Sequence, residues 1–350
     1  MKAWVLHKIG DFRLEEVDRP VLKEDEVLVQ VQAAGVCGSD ISRIYRTGTY
    51  SYPLIPGHEF SGTVVELGEN VKRGWKNKRV GVFPLIPCHE CGPCQKGKYE
   101  MCRHYSYLGS RTAGGFAEYV AVPERNLIEL SDSVSYEEAA MLEPMAVAVH
   151  AMRSMHPGKE KCVAVCGLGT IGMLLVMFLL DAGIKNLYVI GNKDFQKKKT
   201  LELGIPETSY CDSHKENPKD WLLSKTNGNG VDVYFECVGK NETVEQGICV
   251  TAPGGRIQLV GNPASEMKFD RDIYWKILRN QLTVKGSWNS SFTHSVQDDW
   301  HYVLSRLEEK RIHPQNYITQ KFSFEELDKG LLIMRDKTEE YLKIMIERSV

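Results

Sequence analysis

Positive charge is nowhere concentrated in this chain. No run of five or more basic residues occurs, so nothing marks a surface for nucleic acid or for an acidic membrane. The nearest approach, Lys197-Lys198-Lys199, reads as one solvated helix face. Long apolar runs are missing too. The longest, IGMLLVMFLL from Ile171 to Leu180, falls short of the ~20 residues that cross a bilayer and reads as a buried core helix. The opening MKAWVLHKIGDFRLEE lacks the apolar stretch of a secretory signal. There is no internal repeat and no low-complexity segment. These absences predict a cytoplasmic protein in a reducing compartment, where structural disulfides are disfavoured. With 350 residues, 42% of them hydrophobic, and a formal net charge of −2, the chain can fill two ordinary domains, each with its own core.

Cysteine, by contrast, is crowded. CHECGPCQKGKYEMC places Cys88, Cys91, Cys94 and Cys102 within fifteen residues. A disulfide clasp, a redox pair or a metal cage would each use such a cluster. Reduced thiols at these spacings suit a tetrahedral zinc ion. Gly92 and Pro93 kink the loop, so it can present four ligands without a hydrophobic core. A redox role for one C-x-x-C pair leaves two cysteines unexplained. Four protein ligands leave no open position, so such a zinc is structural.

The rhythm of the chain changes near residue 150. Before it, EVLVQVQAA alternates strictly, with Val27, Val29, Val31 and Ala33 on one face. FSGTVVEL and RVGVFPLI follow, separated by Gly and charged turns, which predicts a β-rich barrel or sandwich over 1–148. After it, apolar runs of strand length recur as CVAVC (162–166), NLYVI (186–190), VDVYFE (231–236), RIQLV (256–260) and QLTVK (281–285). Helical stretches such as FQKKKTLELG and ETVEQGICVTA lie between them. That alternation predicts an α/β Rossmann domain over 149–287, a doubly wound parallel sheet covered on both faces. The segment 288–350 carries one helical pattern, DDWHYVLSRLEEKR, and a final apolar LKIMI. It is expected to return to the first domain.

CVAVC runs into Gly167-Leu168-Gly169-Thr170-Ile171-Gly172 and then a helix. A G-x-G-x-x-G in that context is a dinucleotide site. Gly167 permits the turn, Gly169 lets the backbone approach a pyrophosphate, and Gly172 lets helix and strand pack closely. The free N–H groups of the helix start face the phosphates. An NAD site should carry Asp or Glu at the end of the next strand. Here that strand ends Ile190-Gly191-Asn192-Lys193. Glycine leaves room for a 2′-phosphate, Asn192 can donate to it and Lys193 can neutralise it, so NADP(H) is favoured over NAD(H). Asp194 is the counter-argument, since a shift of three residues restores an acid.

A second donor set lies earlier. Cys37 in GVCGSD, His58 and Glu59 in PGHE, and Glu143 in LEPMAVAVHA are residue types that hold a catalytic zinc with an open position. Their company makes a pattern. GVCGSD, GHEFSG, the four-cysteine lobe, GGFAEY, LEPMAVAVHA and GLGTIG occur in that order. Together they resemble the zinc-dependent medium-chain dehydrogenases, the alcohol and sorbitol dehydrogenase family, over essentially the full length. DISRIYRTGTYSYP, PLIPC, YLGSRTAGGFAEY and WKILRNQLTVKGSWNSS are similar to its polyol-phosphate members. Gly191 departs from the Asp of NAD-using relatives.

The resemblance implies a GroES-like catalytic domain followed by the Rossmann domain. It implies a catalytic zinc on Cys37, His58 and either Glu59 or Glu143, and a structural zinc on Cys88, Cys91, Cys94 and Cys102. Ser39 would pass a proton from the bound alcohol toward solvent, and Lys343 would stand near the cofactor. Relatives are homodimers or homotetramers. A phosphorylated polyol needs cations, and Arg43, Arg46 and Arg111 are candidates because the guanidinium fork binds phosphate bidentately. Arg43 and Arg46, three apart, would share one side of a helix. Trp288, Asn289 and Ser290 would contact the polyol, although a subunit contact explains Trp288 equally well. The rivals are a dehydrogenase of unphosphorylated polyols and an NADPH-binding redox sensor with a single zinc. A nucleic-acid module in the cysteine lobe lacks a basic recognition helix.

Overall fold

The computed structural model describes residues 1–159, 161–263 and 265–348. The chain divides into two compact units, one formed by Met1–Ala146 with Ser290–Val350 and the other by Val147–Asn289. Among the described residues no helix is long and apolar enough to cross a membrane.

The first unit is built on a seven-stranded sheet. Its strands run in the order Ile318–Ser323, Lys343–Glu347, Glu26–Val36, Glu59–Leu67, Arg79–Val82 and Leu127–Glu129, with Tyr119–Pro123 also paired to Glu26–Val36. All neighbours are antiparallel except the first pair. The strict alternation expected of EVLVQVQAA is broken. The pairing of Glu26–Val36 with Glu59–Leu67 slips between Leu28 and Val29 and again between Val31 and Ala33. The first slip inserts Val65 in the partner strand, and the second inserts Gln32 in Glu26–Val36, re-aiming the side chains beyond it. Val27, Val29 and Val31 do face the core, but past the second slip that face passes to Ala34 and Val36, not to Ala33. The same strand sets up the site. Its last residues lie opposite both partners, with Gly35 facing Glu59 and Val36 facing Ile344. The strand end before Cys37, the strand start at Glu59 and the strand start at Lys343 therefore meet.

The second unit is a six-stranded, wholly parallel sheet. We label its strands β1 (Cys162–Cys166), β2 (Asn186–Gly191), β3 (Tyr210–Asp212), β4 (Val231–Glu236), β5 (Thr251–Leu259) and β6 (Thr283–Gly286). Their spatial order is β3-β2-β1-β4-β5-β6, with the reversal between β2-β1 and β4 that marks a dinucleotide-binding sheet. Val163, Ala164 and Val165 are fully buried, as a strand covered on both faces should be. The apolar run at 171–180 is the body of the helix Thr170–Asp181, buried from Gly172 to Leu179. Cover fails at β6, where all four residues are exposed. The apolar character of QLTVK comes from an uncovered edge, not from a buried strand.

Candidate active site

The four cysteines of the lobe converge. Sγ–Sγ separations are 3.5 Å for Cys91–Cys94 and Cys88–Cys102, 3.9 Å for Cys91–Cys102 and 4.0 Å for Cys88–Cys94. A tetrahedral ion with bonds of ~2.3 Å sets its sulfurs about 3.8 Å apart, so the cage has the size of a zinc site. None of the ten cysteines is disulfide-bonded. Backbone N–H groups of Arg103 and Cys94 pull the Cys91 thiol down to about 6, while burial pushes Cys94 up to about 12.

Where the three strands meet, Cys37, His58 and Glu59 bring their donor atoms within 4.8 Å of one another. Cys37 opens the short helix Gly38–Ser42, and the carboxylate that organises this corner is Asp40. It is fully buried. Its Oδ2 accepts from the Cys37 backbone N at 3.0 Å and its Oδ1 from Arg43 Nη1 at 2.7 Å. His58 Nδ1 lies 3.4 Å from the same Oδ1, within ion-pair range but not aligned as a hydrogen bond. Burial opposes charge on both groups. Even so, Asp40 raises His58 well above its ordinary value, and His58 with Arg43 holds Asp40 below its own. With Nδ1 turned to a carboxylate, Nε2 is the ring atom left for a metal.

Glu143, in the first turn of the helix Leu142–Met155, stands outside the tight group of three. Its Oε1 accepts from the Tyr107 hydroxyl at 3.1 Å. Burial pushes it up to about 7, with Glu59 adding and His58 and Lys343 opposing. Tyr107 also meets His58, ring to ring at 5.9 Å.

Lys343, expected beside the cofactor, points into the ligand cluster. Its Nζ donates to Val36 O at 3.1 Å and to Glu59 Oε2, and both side chains are 2% exposed. Burial alone would lower the ammonium. Glu59 and Cys37 outweigh it and leave the pKa above its ordinary value. Gly35 makes the space, for a Cβ there would sit 2.3 Å from Glu59 Oε2 and 2.8 Å from Lys343 Cε.

The glycine turn after β1 has the shape the motif predicts. A Cβ on Gly172 would fall 1.8 Å from Gly167 O, whereas Gly169 faces open space at the N-cap of Thr170–Asp181. Thr170 and Ile171 open that helix. Gly191 closes β2, and Asn192 and Lys193 follow it on the surface. Asp194 begins the next helix, Asp194–Glu202.

The substrate candidates separate. Arg43 is committed to Asp40 and is 15% exposed. Arg43 and Arg46 do not lie on one side of an α-helix, because Arg43–Thr47 is a π-helical turn, whose wider winding parts residues three apart. Arg46 is exposed. Arg111 is exposed and lies within cation–π range of both Tyr50 and Tyr105. Ser39 is half-buried on the helix after Cys37. Ser290 is buried and accepts from the Trp300 indole at 3.0 Å, so it faces the core instead of a substrate. Trp288 is 55% exposed.

Known proteins share this arrangement of sequence and fold. The family described as "Alcohol dehydrogenase GroES-like domain" matches residues 23–132, and "Zinc-binding dehydrogenase" matches 170–309. Galactitol 1-phosphate 5-dehydrogenase of Escherichia coli K12 is 31% identical over 326 residues, covering 93% of this chain and 94% of that protein. The chain belongs to the zinc-dependent medium-chain dehydrogenases. Sorbitol dehydrogenase of Halalkalibacterium halodurans is 32% identical over 99% of both chains. The crystal structure of galactitol-1-phosphate dehydrogenase from Escherichia coli superposes with a TM-score of 0.92 at 30% identity, over 99% of this chain and 100% of that one. A zinc-binding dehydrogenase from Sinorhizobium meliloti 1021, solved with NADP bound, gives 0.89 at 26% identity over 99% and 98%.

This zinc-dependent dehydrogenase is therefore an oxidoreductase with a GroES-like and a Rossmann domain. Two residues at its candidate centre escape a reading of motifs. Asp40 lies inside GVCGSD without a role that spacing reveals. Tyr107 opens YLGSRTAGG, and its contact with Glu143 spans 36 residues.

Proposed function

We propose that this enzyme moves a hydride between a secondary hydroxyl of a polyol phosphate and NADP(H), interconverting it with a keto-sugar phosphate. The observation that carries the reading is the gathering of Cys37, His58 and Glu59 into one cluster of mixed sulfur, nitrogen and oxygen donors. Zinc held there supplies a Lewis acid that lowers the pKa of an alcohol hydroxyl, and the nicotinamide supplies or takes the hydride. Cys37 Sγ and His58 Nε2 would hold the metal, with Glu59 or Glu143 as the third protein donor. Asp40 fixes the His58 ring from its Nδ1 side. Lys343 donates to Glu59 Oε2 and holds that oxygen beside Gly35. Ser39 would carry the hydroxyl proton outward. Cys88, Cys91, Cys94 and Cys102 would hold a second, structural zinc.

NADP(H) is favoured by glycine at 191 and by Lys193 two residues on, and one neighbour of the same fold was solved with NADP. The phosphate of the substrate is supported by the likeness to galactitol 1-phosphate 5-dehydrogenase and by the exposed Arg46 and Arg111. The rival is an unphosphorylated polyol. It is favoured by the locking of Arg43 onto Asp40 and by the similar sorbitol dehydrogenase. A redox sensor with a single zinc is opposed by the second cluster of donors, Cys37, His58 and Glu59.

Steady-state turnover of sugar-alcohol phosphates and of the free polyols, each with NADP⁺ and NAD⁺, tests the reading. The expected result is a preference for ester and NADP⁺, with two zinc ions per chain by elemental analysis. Full turnover after Cys37→Ala with His58→Ala overturns it.

The enzyme is also expected to pair with a second copy of itself. The open edge at β6 offers unpaired N–H and C=O groups. Beside it in the same unit the helix Arg271–Arg279 buries none of its residues, leaving Tyr274, Trp275 and Leu278 exposed with Val284 and Trp288. Val284→Lys should convert a dimer to a monomer in light scattering. A wild-type monomer refutes the assignment.

A further inference from the structure

We propose that Arg111, held against the rings of Tyr50 and Tyr105, is the residue that reads the substrate's phosphate, and that Arg43 is not. The assignment rests on the polyol-phosphate reading and sharpens it. The Arg111 guanidinium carbon lies 4.1 Å from the Tyr50 ring centroid and 4.6 Å from that of Tyr105. Both rings are within cation–π range of the guanidinium, an attraction that uses the π-face of each tyrosine and none of the arginine's N–H donors. Arg111 is exposed, and its planar fork can take an anion bidentately. Among the described residues no carboxylate pairs with Arg111, unlike Arg43, whose Nη1 is 2.7 Å from Asp40 Oδ1.

The clamp is braced from both sides. Arg111 N donates to Tyr107 O at 2.9 Å and Gly109 N to Thr112 O at 2.8 Å, which closes a tight loop after Tyr107. Thr49 Oγ1 donates to Ser110 O at 2.8 Å, tying the Tyr50 side to the Arg111 side. Tyr50 is 72% exposed, a costly place for a large ring, and the guanidinium is what its face covers. The loop also leads to the metal-ligand cluster. Tyr105 meets Tyr107 edge-on at 6.2 Å, and Tyr107 meets His58 at 5.9 Å. A row of rings thus runs from His58 to the Arg111 guanidinium, all within one unit. On this assignment the reacting hydroxyl of the polyol lies at the metal end and its phosphate at the arginine. Immobilising the guanidinium in advance removes ordering entropy from the binding step.

The experiment uses the zinc-loaded holoenzyme and reads kcat/KM for a polyol phosphate and its free polyol, with inorganic phosphate as inhibitor. Arg111→Gln should lower the ester-to-polyol ratio of kcat/KM at least tenfold, through KM for the ester. Arg111→Lys keeps the charge but loses the planar fork, and should recover less than half of the loss on a logarithmic scale. Tyr50→Leu should lower the ratio by a few-fold. An unchanged ratio in Arg111→Gln, or equal losses on ester and polyol, overturns the assignment. If wild type turns over ester and polyol alike, the polyol-phosphate reading falls. Inorganic phosphate then decides Arg111 by itself: it must inhibit wild type at least tenfold more strongly than Arg111→Gln, and equal inhibition overturns the assignment.

Discussion

Replacing Lys343 by Met removes one charge from a pair that water hardly reaches. Lys343 and Glu59 side chains are each 2% exposed, and Met fills nearly the same volume, so the loss is electrostatic and not a cavity. Breaking a buried pair from one side costs about 3–5 kcal/mol, because the remaining carboxylate stays buried without its partner. Loss of the hydrogen bond to Val36 O adds about 1 kcal/mol. For a unit of this size each kcal/mol moves Tm by roughly 2–4 °C, so the chelator-treated protein should melt roughly 8–24 °C lower. A zinc ion beside Glu59 offers replacement positive charge, and the deficit of the zinc-loaded form should be smaller. Adding Glu59→Gln should restore part of the stability, since the stranded charge is then gone. Denaturant titrations of wild type, both single variants and the double variant, with and without zinc, measure the coupling. A loss below 1 kcal/mol in the chelated Lys343→Met protein, or additive effects in the double variant, would refute the reasoning.

Cys94→Ser should reduce zinc from two ions per chain to one by elemental analysis while leaving the second ion on the Cys37 cluster; retention of two ions counts against the four-thiol cage. Gly191→Asp should lower kcat/KM with both NADP⁺ and NAD⁺ and not simply reverse the preference, because a Cβ there meets Tyr210 Oη at 2.7 Å and Leu168 Cδ1 at 2.8 Å; Lys193→Ala, with no such obstacle, should narrow the NADP⁺/NAD⁺ ratio at least fivefold. Glu143 is raised to about 7, so between the unfolded carboxyl value and 7 the folded state holds a proton the unfolded state has lost. Stability of the chelated protein should therefore fall as pH rises through that window, by up to about 1.4 kcal/mol for each pH step of one, and Glu143→Gln should flatten the slope; identical pH profiles reject this role.

Much of the second domain was legible because a strand buried on both faces has to be apolar throughout. CVAVC and VDVYFE coincide with β1 and β4 at both ends. RIQLV marked only the later part of β5, which begins at Thr251, since TAPGG carries no strand signal. The exposure of β6 was not legible, because an edge that awaits a partner and a covered strand use the same residues. In the first domain the inserted Gln32 between Val31 and Ala33 defeats period-two counting, and nothing in EVLVQVQAA announces it. The donor residues Cys37, His58 and Glu59 were readable as types in known company. The surroundings that tune them were not. Lys343 among EEYLKIMI looks like any surface lysine, and the contact that gives it meaning spans 284 residues.

That span has a consequence for biosynthesis. The ribosome delivers Cys37, His58 and Glu59 early, then the entire nucleotide-binding unit, and only afterwards the strand Lys343–Glu347. While domains begin to fold in order of emergence, the growing polypeptide carries a thiol, an imidazole and a carboxylate with no counter-ion yet supplied for the acid. Metal capture and strand docking are thereby coupled, and whichever arrives first prepares the pocket for the other.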